Sequence, residues 1–156
     1  MTEQEKDLLL KDLCARLPYG VLCHVDGFDE PHKLNTIEVD YENGHLLDFG
    51  YDENSGLNIQ AYLSEVKPYL RPLWALKEAQ KSKLLEFNFR FDDSYDEAGI
   101  VNEDPNEYDD YNQHPYTFIH EDHCSGLIDF FNSEHIDYRG LVKKDLALAA
   151  TENMYK

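Results

Sequence analysis

The sequence predicts an α+β fold: an N-terminal helix, an antiparallel sheet of about five strands, and C-terminal helices packed on one face. Three observations carry that prediction. Apolar residues recur at helical spacing through the opening stretch, with Leu9, Leu10, Leu13, Cys14 and Leu17 in register. From Gly20 the period drops to two, as in Val21, Cys23 and Val25. Beyond Ser125 the helical period returns. Alternating strands with one polar face suit a sheet covered by helices on one side. A small, partly closed β-barrel made from residues 19–70 is the alternative.

The elements follow in order. Thr2 and Glu5 have the spacing of a capping box at the start of the first helix. Asp7–Lys11 and Asp12–Arg16 are acid-before-base pairs four residues apart, each worth roughly a few tenths of a kcal/mol. Pro18 and Gly20 end the helix. Cys14 falls on the apolar stripe and is expected to be a core thiol rather than a nucleophile. Three strands are expected next, around Val21–Val25, Thr36–Tyr41 and Leu47–Tyr51. Asn43-Gly44 between the last two is a hairpin signal, because both central residues of such a turn need positive φ. His24 is expected to be a half-exposed strand residue. In "SEVKPYLRPLWAL" two prolines interrupt helix. The expectation there is a helical turn near Ser64–Leu70 and a helix from about Leu73 to Leu84. "LLEFNFRF" alternates as a strand from Leu85 to Phe91, and "YTFIH" (Tyr116–His120) reads as another. Ser125 opens a helix with Leu127, Ile128, Phe131 and Ile136 inward, and Asp137–Ala150 reads as a helical tail. One domain spanning 1–156, with an acidic loop at 92–114, accommodates all of this.

The charge bounds the partners. The 156-residue chain has a formal charge of −18, with 32 acidic against 14 basic residues. Nucleic-acid phosphates and anionic membrane surfaces need clustered Lys and Arg, so direct nucleic-acid binding and membrane binding are disfavoured. The basic residues Lys67, Arg71, Lys77, Lys81 and Lys83 gather around Trp74. That stretch is expected to pair with the protein's own carboxylates, and Tyr69, Arg71 and Trp74 form a second possible partner surface. The odd count of three cysteines without a C-x-x-C argues against a disulfide scaffold. The charged N-terminus does not fit a signal peptide, and no apolar run approaches a membrane span, so a cytoplasmic setting is expected.

The acidic segment is the most distinctive feature. From Phe91 to Tyr138 there are fourteen Asp and Glu and no Lys or Arg. Like-charge repulsion favours an extended chain, and interleaved tyrosines add contact area at small entropic cost. Asp104, Glu107, Tyr108, Asp109, Asp110 and Tyr111 are therefore the candidate contacts to a basic protein; a solvated loop with no partner is the other reading. As a calcium loop, Asp92, Ser94, Asp96 and Glu103 fall at ligand positions, but Glu97 stands where the sharp turn needs Gly. Asp92, Asp96 and Glu103 remain a candidate metal set. His120, His123 and Cys124 are a second, because zinc uses such side chains when they converge. No cofactor motif and no hydrolase motif is present, which leaves catalysis to a divergent hydrolase at most.

Three stretches, "LLLKDLCARLPYGV" (Leu8–Val21), "EVKPYLRP" (Glu65–Pro72) and "LIDFFNSEHIDYRGLVKKDLALAA" (Leu127–Ala150), resemble a family of small uncharacterised proteins from gut Bacteroides-type bacteria and their phages and mobile elements. The resemblance covers roughly a third of the chain and excludes the acidic segment. It implies a bacterial or phage accessory protein and carries no activity, cofactor or site residues. With the charge distribution, it leads to the expectation of a non-enzymatic interaction protein that engages a basic host protein. A calcium- or zinc-binding domain is the alternative.

Overall fold

The computed structural model describes residues 1–40, 42, 44–53, 55–87, 89–92, 99–102 and 125–155. The fold is α+β. The chain gathers into two compact units, one made of residues 1–70 and 139–156 and the other of residues 71–138.

In the first unit, helix α1 (Glu3–Arg16) opens with the capping box. Thr2 N–H donates to Glu5 Oε2 at 2.6 Å, and Glu5 N–H donates to Thr2 Oγ1 at 3.2 Å. The helix runs into a 3-10 turn (Leu17–Tyr19) and stops at Gly20, whose φ of 71° a β-carbon would strain. Leu9, Leu10 and Leu13 are buried. Cys14 is exposed, contrary to the expectation of a core thiol. Each helical residue turns by about 100°. The buried stripe runs through Leu9, Asp12, Leu13 and Arg16, which leaves position 14 on the outer flank.

Two sheets share the core beneath α1. Strands β1 (Leu22–Val25), β2 (His32–Lys33) and β6 (Val66–Leu70) pair antiparallel, and β9 (Leu148–Ala149) adds in parallel to β6, giving the order β2-β1-β6-β9. Strands β3 (Thr36–Glu38), β4 (Leu46–Asp52) and β5 (Leu57–Tyr62) form a separate antiparallel sheet. The strand at 22–25 therefore pairs with β2 and β6 rather than with β3, and β5 completes the meander in its place. No sheet among the described residues closes into a barrel. Leu47, Phe49, Ile59, Ala61, Val25 and Val66 meet Leu9, Leu10 and Leu13 in one apolar cluster.

Three local features depart from the pattern read in the sequence. The helical turn expected near Ser64–Leu70 is confined to a 3-10 turn at Leu63–Glu65, and residues 66–70 are a strand: Val66, Pro68 and Leu70 are buried while Lys67 and Tyr69 are half-buried. Pro68 is tolerated because β9 pairs only from Tyr69, so no ladder bond with β9 is asked of the missing N–H. Between Asp48 and Gly50 a β-bulge shifts the register, with Gly50 at φ 80° and its N–H on Asp48 Oδ1 at 3.0 Å. The extra residue turns Tyr51 off the core face, so it is 65% exposed while Phe49 is buried. The pair Glu38↔Leu46 closes the β3–β4 connection, making it longer than a two-residue Asn-Gly turn. Gly44 has φ 97°, and Asn43 lies outside the described residues.

The segment 139–156 is not a helical tail. It makes turns from Arg139 to Asp145 and then β9. Leu141, Leu146 and Ala147 pack with Leu70 in a second cluster of this unit, and Ala150 N–H donates to Leu70 C=O at 2.7 Å.

In the second unit, Arg71 forms a parallel bridge to Ile136: Arg71 N–H donates to His135 C=O at 2.7 Å, and Asp137 N–H donates to Arg71 C=O at 2.8 Å. The helix expected from 73 is divided into a 3-10 turn (Leu73–Ala75) and helix α2 (Glu78–Leu85). Leu85 thus ends a helix, and the strand begins later, as β7 (Phe89–Asp92), paired antiparallel with β8 (Gly99–Asn102). Helix α3 (Ser125–Ser133) follows the expected pattern, with Leu127 and Phe131 buried and Ile136 buried just beyond it. These pack with Leu76, Leu84 and Phe89, and Phe87, Phe130 and Tyr138 line the same cluster. The strand expected at Tyr116–His120 lies outside the described residues. Among the described residues, no helix is long and apolar enough to cross a membrane.

Candidate interaction surface and buried charge cluster

Asp12 and Arg16 are one helical turn apart on the stripe that α1 buries, and both are fully buried. Arg16 Nε donates to Asp12 Oδ2 at 2.7 Å and Arg16 Nη2 donates to Oδ1 at 3.0 Å, a bidentate pair. Arg139 Nη1 adds a third bond to Asp12 Oδ1 at 2.8 Å. A carboxylate so enclosed has no opening toward an external substrate, and its chemistry is structural. It fastens the returning segment at 139 to α1. The pair expected at Asp12–Arg16 is formed, but it is buried, where the few tenths of a kcal/mol of an isolated helix pair do not apply. The signal was in the spacing: positions 12 and 16 lie three and seven residues after Leu9, on the buried side.

Cys23 is fully buried in the same unit. Burial, and secondarily the charge of Asp12, push its thiol well above the ordinary value of 9.0. It stays a protonated core side chain. Desolvation also raises the Cys14 thiol, although that side chain reaches solvent. His24 is half-buried on β1, with Nε2 3.7 Å from Asp26 Oδ1.

Of the second candidate surface, Trp74 is 66% exposed on the 3-10 turn that follows Pro72. Arg71 is half-buried in the same unit, its backbone held in the bridge to Ile136, while Tyr69 belongs to the other unit. Three lysines of this stretch have carboxylate partners: Lys67 with Asp145 at 2.7 Å, Lys81 with Glu78 at 3.0 Å, and Lys83 with Glu86. Such pairs are worth little as stabilisation. They do reduce the positive field that a nucleic acid would need.

Of the acidic segment, the structure describes Asp92 and Gly99–Asn102, and their backbone is the β7–β8 ladder. Asp104, Glu107, Tyr108, Asp109, Asp110 and Tyr111 lie outside the described residues, as do Asp96, Glu103, His120, His123 and Cys124. Among the described residues, no group of three or more His, Cys, Asp or Glu side chains is placed to hold a metal. No family model, no curated protein and no solved structure matches the chain.

Proposed function

We propose that the protein is a non-enzymatic accessory protein that binds a basic protein, presenting carboxylates where that partner would otherwise meet nucleic-acid phosphates. The observation that supports this most is the run from Phe91 to Tyr138, with fourteen acidic residues and no Lys or Arg, in a chain of net charge −18. Charge of one sign concentrated in this way steers association with the opposite sign. The resemblance of the three stretches to the Bacteroides-type and phage family supports a phage or mobile-element setting in a bacterial cytoplasm. The contacts assigned are Asp104, Glu107, Tyr108, Asp109, Asp110 and Tyr111.

The test is capture from host lysate by the tagged chain, washed at low and high salt. A variant with the acids of 92–114 changed to Asn and Gln is run beside it. The expected result is a basic, nucleic-acid-handling protein that is lost both at high salt and with the variant. Capture that ignores both changes would overturn the reading and move attention to Trp74.

A further inference from the structure

Strand β5 is an outer strand of its sheet, paired on one side only among the described residues. Ladder geometry fixes which of its groups point outward. Asp48 C=O accepts from Asn35 on the β3 side, so Leu47, one residue earlier, turns its N–H and C=O toward β5. Leu47 pairs with Ala61, and Leu63 N–H donates to His45 C=O two residues further along the same ladder. Ile59 and Ala61 therefore address β4, while the backbone groups of Asn58, Gln60 and Tyr62 face away from it. Tyr62 N–H is already held by Glu65 Oε2 at 2.8 Å. Among the described residues, no partner takes the outward donor and acceptor of Asn58 and Gln60.

This edge lacks the usual protection of Lys, Pro or inward-pointing charge. Residues 57–62, LNIQAY, carry no charge in a chain that is 29% Asp, Glu, Lys and Arg. Leu57 and Tyr62 on β5, and Tyr51 beside Asn58 on β4, are 60%, 52% and 65% exposed. The edge of β3, by contrast, carries Glu38 and is followed by Asp40 and Glu42.

We propose that β5 pairs with β5 of a second copy of this chain, antiparallel about a two-fold axis at Ile59. That register sets Asn58 opposite Gln60 of the other copy and Gln60 opposite its Asn58, and each pair exchanges both N–H···O=C bonds. It leaves the Tyr62–Glu65 bond untouched. It also sets exposed Leu57 opposite Ala61 of the other copy. A second copy suits this edge because the register is self-complementary. No residue of β5 is itself charged, so the repulsion between two chains of the same sign does not fall on the paired residues.

The salt dependence is opposite to that of capturing a basic partner, so the two readings fail separately. Sedimentation of the full chain is measured across protein concentration at low salt and at roughly 0.5 M salt, where the Debye length is about 4 Å. The expected mass rises from 18.2 kDa toward twice that value with concentration, and more readily at high salt. Asn58→Glu with Gln60→Glu in one chain sets like charges face to face and is expected to weaken association about tenfold. Gln60 Nε2 donates to Asp48 Oδ2 at 3.0 Å, so the fold of each variant is certified by its own melt, and Gln60→Ala, which removes that bond without adding charge, is run beside the double substitution to separate loss of the bond from like-charge repulsion. In a mixture, Asn58→Lys chains and Gln60→Glu chains bring opposite charges together and are expected to associate with each other. A mass fixed at 18.2 kDa at high concentration and high salt, or a dimer indifferent to the double substitution, overturns the proposal.

Discussion

Arg139 reaches back 127 positions to place Nη1 2.8 Å from Asp12 Oδ1. Asp12 already holds the buried Arg16 in a bidentate pair, so one carboxylate bonds guanidinium groups from two distant parts of the chain. Removing the carboxylate takes a charged bond from each of them. Asp12→Asn is expected to cost about 3–5 kcal/mol, the range for breaking a buried pair from one side. Arg139→Gln, which removes the charged bond to Asp12 from a partly exposed side chain, is expected to cost about 1.5–3 kcal/mol. Urea denaturation measures both. If Asp12→Asn cost no more than removing the exposed Lys6–Glu3 pair, the cluster would have no structural weight.

The Tyr155 hydroxyl bridges two strands beyond the end of their ladder. It accepts from Leu22 N–H at 3.1 Å and donates to Tyr69 C=O at 2.6 Å. The last β1–β6 pair is Cys23↔Pro68, so the phenol takes the position where a direct Leu22–Tyr69 bond would follow. Tyr155→Phe leaves both backbone groups without that partner and is expected to cost about 1–3 kcal/mol. Hydrogen exchange at the Leu22 amide should accelerate with it. An unchanged amide would mean that solvent already serves these groups.

Gln80 does two jobs with one amide. Its Oε1 accepts from Lys77 N–H at 3.0 Å at the start of α2, and its Nε2 donates to Glu134 Oε2 at 2.8 Å beyond α3. Gln80→Ala is expected to cost about 1–3 kcal/mol by leaving the cap donor and the carboxylate unmatched. Gln80→Glu should fare worse than the loss of one bond implies, because it sets a carboxylate against Glu134. Equal stability of the two variants would argue against that contact.

The thiols should separate by accessibility. Cys14 is exposed and Cys23 is buried, so peptide-resolved alkylation of the native protein should label Cys14 first and Cys23 only on unfolding. The Cys23 thiol is raised above its ordinary 9.0 by burial. At pH above that value the unfolded chain releases this proton while the folded chain keeps it. Stability contributed at this site is therefore intact below about pH 9 and falls as pH rises beyond it. Cys23→Ser or Cys23→Ala should flatten that alkaline slope. An identical slope would assign it elsewhere. Glu5 works in the opposite sense. Its carboxyl is lowered by the backbone bond from Thr2, so its contribution is present above the ordinary 4.5 and is lost as pH falls through the lowered value.

Local chemistry was the legible part of this fold. The Thr2–Glu5 box, the stripe of Leu9 and Leu13 and the α3 face of Leu127 and Phe131 follow from spacing alone, and all three are formed. Partner choice between strands was not legible, because a period of two gives faces and not neighbours. Leu22–Val25 alternates equally well beside β3 or beside β6. The prolines at 68 and 72 masked a strand at 66–70 that shows the alternating burial of any other. The bulge at Phe49 reversed Tyr51 without leaving a mark in the hydrophobic pattern. The charge cluster was hidden for a different reason: Arg139 is too distant in sequence for any window to join it to Asp12. The candidate contacts at 104–111 rest on charge and interleaved tyrosines in the sequence, and they lie outside the described residues.

The discontinuity of the first unit has a consequence for synthesis on the ribosome. Residues 71–138 emerge before the segment that carries Arg139, β9 and Tyr155, while α1 and the strands up to Leu70 are already outside. Until residue 139 is translated, Asp12 lacks the bond from Arg139, the outer flank of β6 lacks its parallel neighbour β9, and Leu22 and Tyr69 lack their phenol. The nascent first unit is thus held with one sheet edge open through the time needed to make 68 residues, as the bounds 71 to 138 require. A ribosome that pauses within the acidic stretch would prolong that exposure, and a synonymous codon change there could alter the yield of native protein without altering a single side chain.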